Sequence, residues 1–235
     1  MTIRQAKYSD LRAMAETAAA AFHHDELFGE LMHPRRQEYP QDFINYFERR
    51  FLKKWGDPGC RFLVGLDKTS DKVIAVAQWE RQGVRPASWS NSLIAGPFMQ
   101  SASWLYLSAL DFLWPNRAAD PDKIRILEET YPLFAHHWIE SRRQNWFLDV
   151  LATHPDHQGQ GLGKKLVMWG VNKAMEEGIC ASVISSYGNE AFYGQYGFIE
   201  VGRANIGRLG ACGIKGGAIM FCEEHVSRRA CVGQK

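Results

Sequence analysis

The sequence lacks an excess of charge of either sign. Lys and Arg together number 28 and Asp and Glu number 26, which leaves a formal net charge of +2 at pH 7. A protein without a strong overall field is not drawn onto nucleic acid or onto an anionic membrane surface. We therefore expect neither partner, and any anion that the protein binds has to be held by a local group of residues.

Long apolar runs and clustered metal ligands are also missing. The first eight residues mix charged and polar side chains, and no later stretch is apolar over the roughly 20 residues that span a bilayer. The five cysteines include no C-x-x-C pair, and adjacent histidines such as His23 and His24 point in different directions. These absences predict a cytoplasmic protein with reduced cysteines, no membrane partner and no metal site.

The composition that is present suits one globular domain covering 1–235, since 46% of the residues are hydrophobic. The first half predicts a strand near Thr2, an Ala-rich helix that ends near Phe22, and a second helix through Tyr46 and Phe51. Two β-rich runs, 61–66 and 73–79, then predict an antiparallel hairpin. An α/β fold follows from this order.

Residues 81–145 form a segment of different character, with prolines between aromatic side chains. Helical pieces joined by turns are predicted there, with 118–121 as the most exposed point. The segment is too aromatic for a disordered linker, so we expect an ordered helical insert that contains Trp89, Trp104 and Trp114.

The pattern is clearest after residue 145. It predicts a strand over 146–153, a glycine loop over 157–163, a helix over 162–177 and a strand over 181–185. A short helix over 189–196 and strands over 198–203 and 218–222 complete the chain's regular elements. The glycine loop therefore stands between a strand and a helix, where backbone N–H groups and the helix dipole can hold a phosphate.

The register of the glycines excludes two common phosphate loops. A Walker loop needs Gly and Ser or Thr where this chain has Gln158 and Lys165. A dinucleotide fingerprint needs its third glycine at Lys164 or at Leu166, depending on where it starts. A glycine turn that only allows close packing of strand and helix stays open as the simpler interpretation.

A third pattern does fit. The loop reads Gln-x-x-Gly-x-Gly at Gln158, Gly161 and Gly163, after a strand that ends in His154-Pro155. Downstream, 189–198 reads Asn-Glu-Ala-Phe-Tyr-Gly-Gln-Tyr-Gly-Phe, with Tyr193 four residues after Asn189. These motifs in this order resemble the GCN5-related N-acetyltransferase (GNAT) family over 146–203. Residues 81–145 match no specific pattern of that family.

The resemblance implies a mixed, mostly antiparallel sheet that splays between its fourth and fifth strands, and acetyl-CoA as cosubstrate without a metal. Backbone groups of the fourth strand would pair with the pantetheine arm, the loop would hold the pyrophosphate, and Asn189 would donate to the pantetheine unless it only caps a helix. The implied cofactor-binding residues are Leu151, Ala152, Thr153, Gln158, Gly159, Gln160, Gly161, Leu162, Gly163, Lys164 and Asn189.

Two residues are candidates for catalysis. Tyr193 stands at the family's position for the acid that protonates the leaving thiolate, although a buried tyrosine also serves packing. Asp149 is the candidate general base, because alternation along the strand predicts that it shares a face with Leu151 and Thr153. A structural pairing of Asp149 with an arginine such as Arg143 stays open, and Glu80 competes for the role of base.

The resemblance implies an acyltransferase whose acceptor is the primary amine of a small molecule, attacking the thioester directly. With that function, the helical insert over 81–145 would fold over the acceptor site as a lid, and Trp89, Trp104 and Trp114 are its candidate wall residues. Protein acetylation at lysine or N-terminal amines is the alternative, although such a lid disfavours the open groove that a peptide needs. A non-catalytic acyl-CoA-binding module is a third possibility. A monomer or a homodimer is expected, and the acceptor's identity is left open.

Overall fold

A computed structural model describes residues 1–83, 110 and 113–223 of the chain. Its strands are Thr2–Gln5 (β1), Cys60–Leu66 (β2), Val73–Gln82 (β3), Asn145–Thr153 (β4), Cys180–Ser185 (β5), Ile199–Arg203 (β6) and Ala218–Cys222 (β7). They form one sheet in the order β1-β2-β3-β4-β5-β7-β6. Strands β4 and β5 run parallel, and the other neighbours are antiparallel. The predicted mixed, mostly antiparallel sheet is confirmed.

Helices cover both faces of this sheet. They are Leu11–Ala21 (α1), Pro40–Lys54 (α2), Ile126–Phe134 (α3), Leu162–Glu177 (α4), Glu190–Gly194 (α5) and Gly207–Ala211 (α6), with a π-helical turn at Glu26–Leu31. Phe62 and Val64 of β2 pack with α1 and α2, whereas Leu63 between them packs with α4. Because successive side chains of a strand point to opposite faces, α4 lies on the other side of the sheet from α1 and α2.

The sheet opens between β4 and β5. These two strands pair from Asn145 opposite Cys180 to Leu148 opposite Val183, while β4 continues to pair with β3 as far as Thr153. Within the described residues, the edge of β4 that faces β5 therefore has no strand partner beyond Leu148. Its backbone groups need other hydrogen-bond partners. The predicted splay between the fourth and fifth strands is confirmed.

A β-bulge at Asp149 corrects one expectation. Gln78 of β3 lies opposite Val150 and Trp79 lies opposite Leu148, so that Asp149 is an extra residue in β4. An extra residue interrupts the alternation of a strand. Leu148 accordingly packs on the α4 side and Val150 on the side of α1 and α2. The prediction that Asp149 shares a face with Leu151 was wrong.

The predicted insert can be compared with the structure only in part, because residues 84–109 and 111–112 lie outside the described residues. Its first two residues belong instead to β3, which runs to Gln82. The expectation that 118–121 is the most exposed point was wrong, since Ala118 and Ala119 are buried. Trp114 is exposed, and Trp89 and Trp104 lie outside the description. The part after Pro121 forms α3 and short turns, which pack against strands β5, β6 and β7.

Two further properties concern only the described ranges. No helix there has the length and hydropathy needed to cross a membrane. No group of three or more His, Cys, Asp or Glu side chains is arranged there to hold a metal ion.

Candidate functional site

A cleft of about 740 Å³ lies where β4 and β5 separate. Its walls come from the end of β4, the glycine loop, the start of α4, the region of α5, and the segment that follows α1. All the residues predicted to bind the cofactor line this cleft, and Tyr193 lines it with them. Asp149, the other predicted catalytic residue, lines a second cavity next to it.

The glycine loop is shaped by two left-handed residues. Gly159 has φ +73°, and Gly161, the N-cap of α4, has φ +81°. Residues other than glycine rarely adopt such positive φ values. The first turn of α4 contains no acidic side chain, so the positive end of this 16-residue helix faces the cleft uncompensated. The arrangement offers backbone N–H groups to an anion.

The two lysines that follow the loop, Lys164 and Lys165, have different surroundings in the structure. Lys164 lines the cleft, whereas the Nζ of Lys165 donates to the backbone oxygen of Met1 at 2.7 Å. Lys164, which the resemblance implies as a cofactor-binding residue, is therefore the one of these two lysines that lies where it could contact a phosphate. Leu162 and Ala152 line the cleft as well, although both residues are buried. Gln158 donates from Nε2 to the oxygen of Thr153 at 3.3 Å.

Tyr193 lies on α5 with its ring between Phe192 and Phe198, at centroid distances of 5.2 and 5.8 Å. The residue is buried, and burial raises the pKa of its phenol above the ordinary value of 10. The hydroxyl consequently stays protonated at neutral pH and can donate. Asn189 occupies the N-cap position of α5, yet its side chain makes no capping hydrogen bond. Its amide is thus available to the cleft, which it lines.

The second cavity has a volume of about 120 Å³ and adjoins the cleft. Most of its wall is apolar, from the π-helical turn, α3, β4, β5 and the loops around α6, with Leu27, Phe28, Leu127, Phe134, Phe147, Ile184, Leu209 and Ile214. Such a chamber suits a small organic group.

The carboxylate of Asp149 forms an ion pair in the wall of this cavity. Both of its oxygens accept hydrogen bonds from Nη2 of Arg50 on α2, at 2.8 and 2.9 Å. The expected structural pairing of Asp149 with an arginine therefore exists, but its partner is Arg50 and not Arg143. Glu80, the competing candidate for the base, pairs with Lys54 at 2.9 Å and lines neither cavity. Both carboxylates are thus engaged with a cation.

Asp25 is a site residue that the sequence motifs did not indicate. It lines both cavities, as do Glu26 and Ser186. Its Oδ1 accepts the backbone N–H groups of Leu27 at 3.0 Å and Phe28 at 2.8 Å, and so caps the π-helical turn. Burial raises the pKa of Asp25, against the lowering effect of its hydrogen bonds from Phe28, Leu27 and Ser186. Its position after a predicted helix was the one available signal, and that is typical of many surface aspartates.

Comparisons with known proteins agree with this geometry. The model of the acetyltransferase (GNAT) family matches residues 24–198. An acetyltransferase from Stachybotrys chartarum is 21% identical over 207 residues, which are 87% of this chain and 83% of that protein. A Corynebacterium glutamicum structure, described as histone acetyltransferase HPA2 and related acetyltransferase, is 17% identical, with 94% of both chains covered and a TM-score of 0.61.

A third similar chain was solved with a ligand. The PaiA N-acetyltransferase of Thermoplasma acidophilum, in complex with coenzyme A, is 12% identical, with 94% of this chain and 98% of that chain covered and a TM-score of 0.49.

Proposed function

This chain belongs to the acetyltransferase (GNAT) family, and from that premise we propose that it transfers the acetyl group of acetyl-CoA to a primary amine of a small molecule by direct attack. The observation that carries the proposal is the pair of adjoining cavities, one built around the glycine loop and one with an apolar wall. The first suits an anionic cofactor with a long arm, and the second suits a compact acceptor.

The cofactor would lie along the cleft with its pyrophosphate at the glycine loop and the start of α4. The unpaired end of β4, at Leu151, Ala152 and Thr153, would bind the pantetheine arm through backbone groups, and Asn189 would donate to it. One N–H of this edge would also stabilise the oxyanion that forms when the amine attacks the thioester carbonyl. Tyr193 would then protonate the thiolate that leaves.

The acceptor would occupy the second cavity, where its apolar body is removed from water. Leu127 and Phe134 come from the part of the predicted insert that the structure describes, which supports the proposal that this segment covers the acceptor. The restricted volume favours a small molecule over a peptide, although a lysine side chain of a protein is an acceptor that the same experiment can detect.

Turnover with a panel of amines, followed by release of the free thiol of CoA, tests this proposal. We expect acetylation of compact amines with an apolar body and little acetylation of basic peptides. Preference for a peptide would identify a protein acetyltransferase instead. Absence of thiol release with every amine, together with binding of acetyl-CoA, would support a non-catalytic module and contradict the proposal.

Two leucines of α3 provide a matched pair for the acceptor cavity. Leu127 lines it, whereas Leu133 of the same helix is 52% exposed and lines neither cavity. Leu127→Ala should raise the KM for the preferred amine and leave the KM for acetyl-CoA nearly unchanged. Leu133→Ala should change neither. Equal effects of the two substitutions on the amine would show that α3 acts only through the stability of the fold.

A further inference from the structure

We infer that Asp25 is the catalytic proton acceptor of this enzyme, taking a proton from an amine that enters the second cavity as an ammonium ion. The inference rests on the proposed function and assigns the base that the acetyl transfer requires. It also narrows the acceptor class to alkylamines, which are protonated at neutral pH because their pKa is about 10.

The first argument is position. The thioester has to lie at the end of the cofactor cleft and the amine in the acceptor cavity, so a base that serves the attack belongs where the two meet. Asp25, Glu26 and Ser186 are the residues that line both cavities. Two of these three residues carry a carboxylate.

The second argument concerns which carboxylate has a free oxygen. Glu26 accepts the backbone N–H of Lys215 at 3.1 and 3.0 Å through its two oxygens, and that of Gly216 at 2.5 Å. Both oxygens of Glu26 are thereby used to hold the loop before β7. In Asp25, the two capping hydrogen bonds converge on Oδ1. Oδ2 carries neither capping hydrogen bond and can therefore meet an incoming ammonium group, while Ser186 donates a further hydrogen bond to the carboxylate.

Acetyl transfer to an ammonium group requires a proton acceptor. An ammonium acceptor gives up two protons when it becomes an amide. Transfer of the first to Asp25 frees the nitrogen lone pair, which forms the bond to the carbonyl carbon while the carbon–sulfur bond breaks. Tyr193 donates a proton that completes the thiol of CoA, and the second proton leaves the nitrogen as the amide forms and restores the hydroxyl of Tyr193. Asp25 then returns its proton to solvent, so that one proton is released for each amide formed.

The charged surroundings allow this cycle. The groups with titratable or charged side chains that share the two cavities with Asp25 are His24, Glu26, Arg50, Asp149, His157, Lys164, Tyr187, Tyr193 and Tyr196. Arg50 is neutralised by Asp149, and Glu26 raises the pKa of Asp25 in the same direction as burial. A raised pKa makes the carboxylate a better match to a proton transfer at neutral pH.

The test is Asp25→Asn, measured with two amines of similar size. Asparagine keeps an oxygen for the capping bonds and removes only the basic carboxylate. For an alkylamine we expect kcat/KM at neutral pH to fall by about 100-fold or more. The variant's kcat/KM should then rise with pH up to the amine's own pKa of about 10, because only amine that is already unprotonated can react. For a trifluoroethyl-substituted amine, whose nitrogen is already unprotonated at the assay pH, the loss should be much smaller.

Controls separate this result from damage to the fold. The carboxylate of Asp67, in the β2–β3 turn, likewise accepts two backbone N–H groups. Asp67→Asn should therefore leave kcat/KM for both amines unchanged. Asp25→Ser is a second variant for the case that Asp25→Asn folds poorly. Serine also offers a capping oxygen and lacks the carboxylate, so it should show the same difference between the two amines.

Equal losses for the two amines, with an alkylamine pH profile like that of the wild type, would overturn the inference. So would a pH profile that shifts toward the amine's own pKa in Asp149→Asn and stays like that of the wild type in Asp25→Asn. Wild-type protein that releases no CoA with any amine would overturn the proposed function, and this inference with it.

Discussion

Nη2 of Arg50 donates to both carboxylate oxygens of Asp149, and this contact joins residues 99 positions apart in the sequence. The guanidinium also lies 5.4 Å from the ring centre of Phe28, while its Nε is buried without a hydrogen-bond partner among the described residues. Arg50 therefore depends on Asp149 for its counter-charge. The pair holds α2 against the bulge of β4.

We predict that Asp149→Asn destabilises the protein by about 1–3 kcal/mol, because it leaves a largely buried cation without its partner. Adding Arg50→Met should recover part of that loss. Urea unfolding of the four combinations gives the coupling free energy, expected at roughly 1 kcal/mol or more. The exposed pair Arg125 and Glu128, with side chains 74% and 72% accessible, is the control and should show almost no coupling.

We expect acetyl-CoA to raise the melting temperature of the wild type, and Gly161→Val should abolish that rise. The φ of +81° strains any β-branched side chain, and the loop would lose the conformation that presents its N–H groups. Gly213→Val is a matched control, since that glycine has φ +78°, open space around its Cβ position, and a place outside the cleft. A similar ligand shift in both variants would show that the loop is only a turn.

Tyr193→Phe should keep acetyl-CoA binding and slow turnover by roughly 10- to 1,000-fold, because the ring contacts with Phe192 and Phe198 remain while the proton donor is removed. Single-turnover kinetics and a thermal shift with acetyl-CoA measure the two effects separately. Unchanged turnover, where chemistry limits the rate, would assign Tyr193 to packing alone.

The free energy of unfolding should decrease as the pH falls from about 6.5 to about 4, because of His33. Burial lowers the pKa of its imidazole to about 4 from the ordinary 6.5. The ring is fully buried and packs on Phe43 and Tyr46, with Nδ1 2.7 Å from the oxygen of Phe28. In that window the unfolded chain binds a proton that the folded chain does not, so low pH favours unfolding.

The loss from this one histidine is on the order of 3 kcal/mol between the two ends of the window. Unfolding by urea at pH 7, 6, 5 and 4 measures it, and His33→Gln should flatten the dependence. His136→Gln, at an exposed position, should leave it as in the wild type. A dependence that is the same in all three proteins would show that other groups are responsible.

The sequence by itself determined the regular elements after residue 145 except α6, and the part of the cleft that the end of β4, the glycine loop, the start of α4 and α5 form. Strand, glycine loop and helix are consecutive in the chain, and the left-handed turns at Gly159 and Gly161 require glycine locally. The splay of β4 from β5 and the place of Tyr193 came from a resemblance that rests on these same local motifs. These features can be predicted from the sequence because the backbone conformation of a turn is determined by a few consecutive residues.

Only the tertiary structure decided which charged side chains surround the second cavity. The bulge at Asp149 depends on how β4 pairs with β3, and no pattern within β4 itself reveals that one residue is left out of the ladder. Asp25 meets the cleft only because α1 and the π-helical turn pack against strands more than 100 positions further along the chain. Burial, pairing and free hydrogen-bonding capacity arise from such distant contacts, and these quantities separate a base from a structural carboxylate.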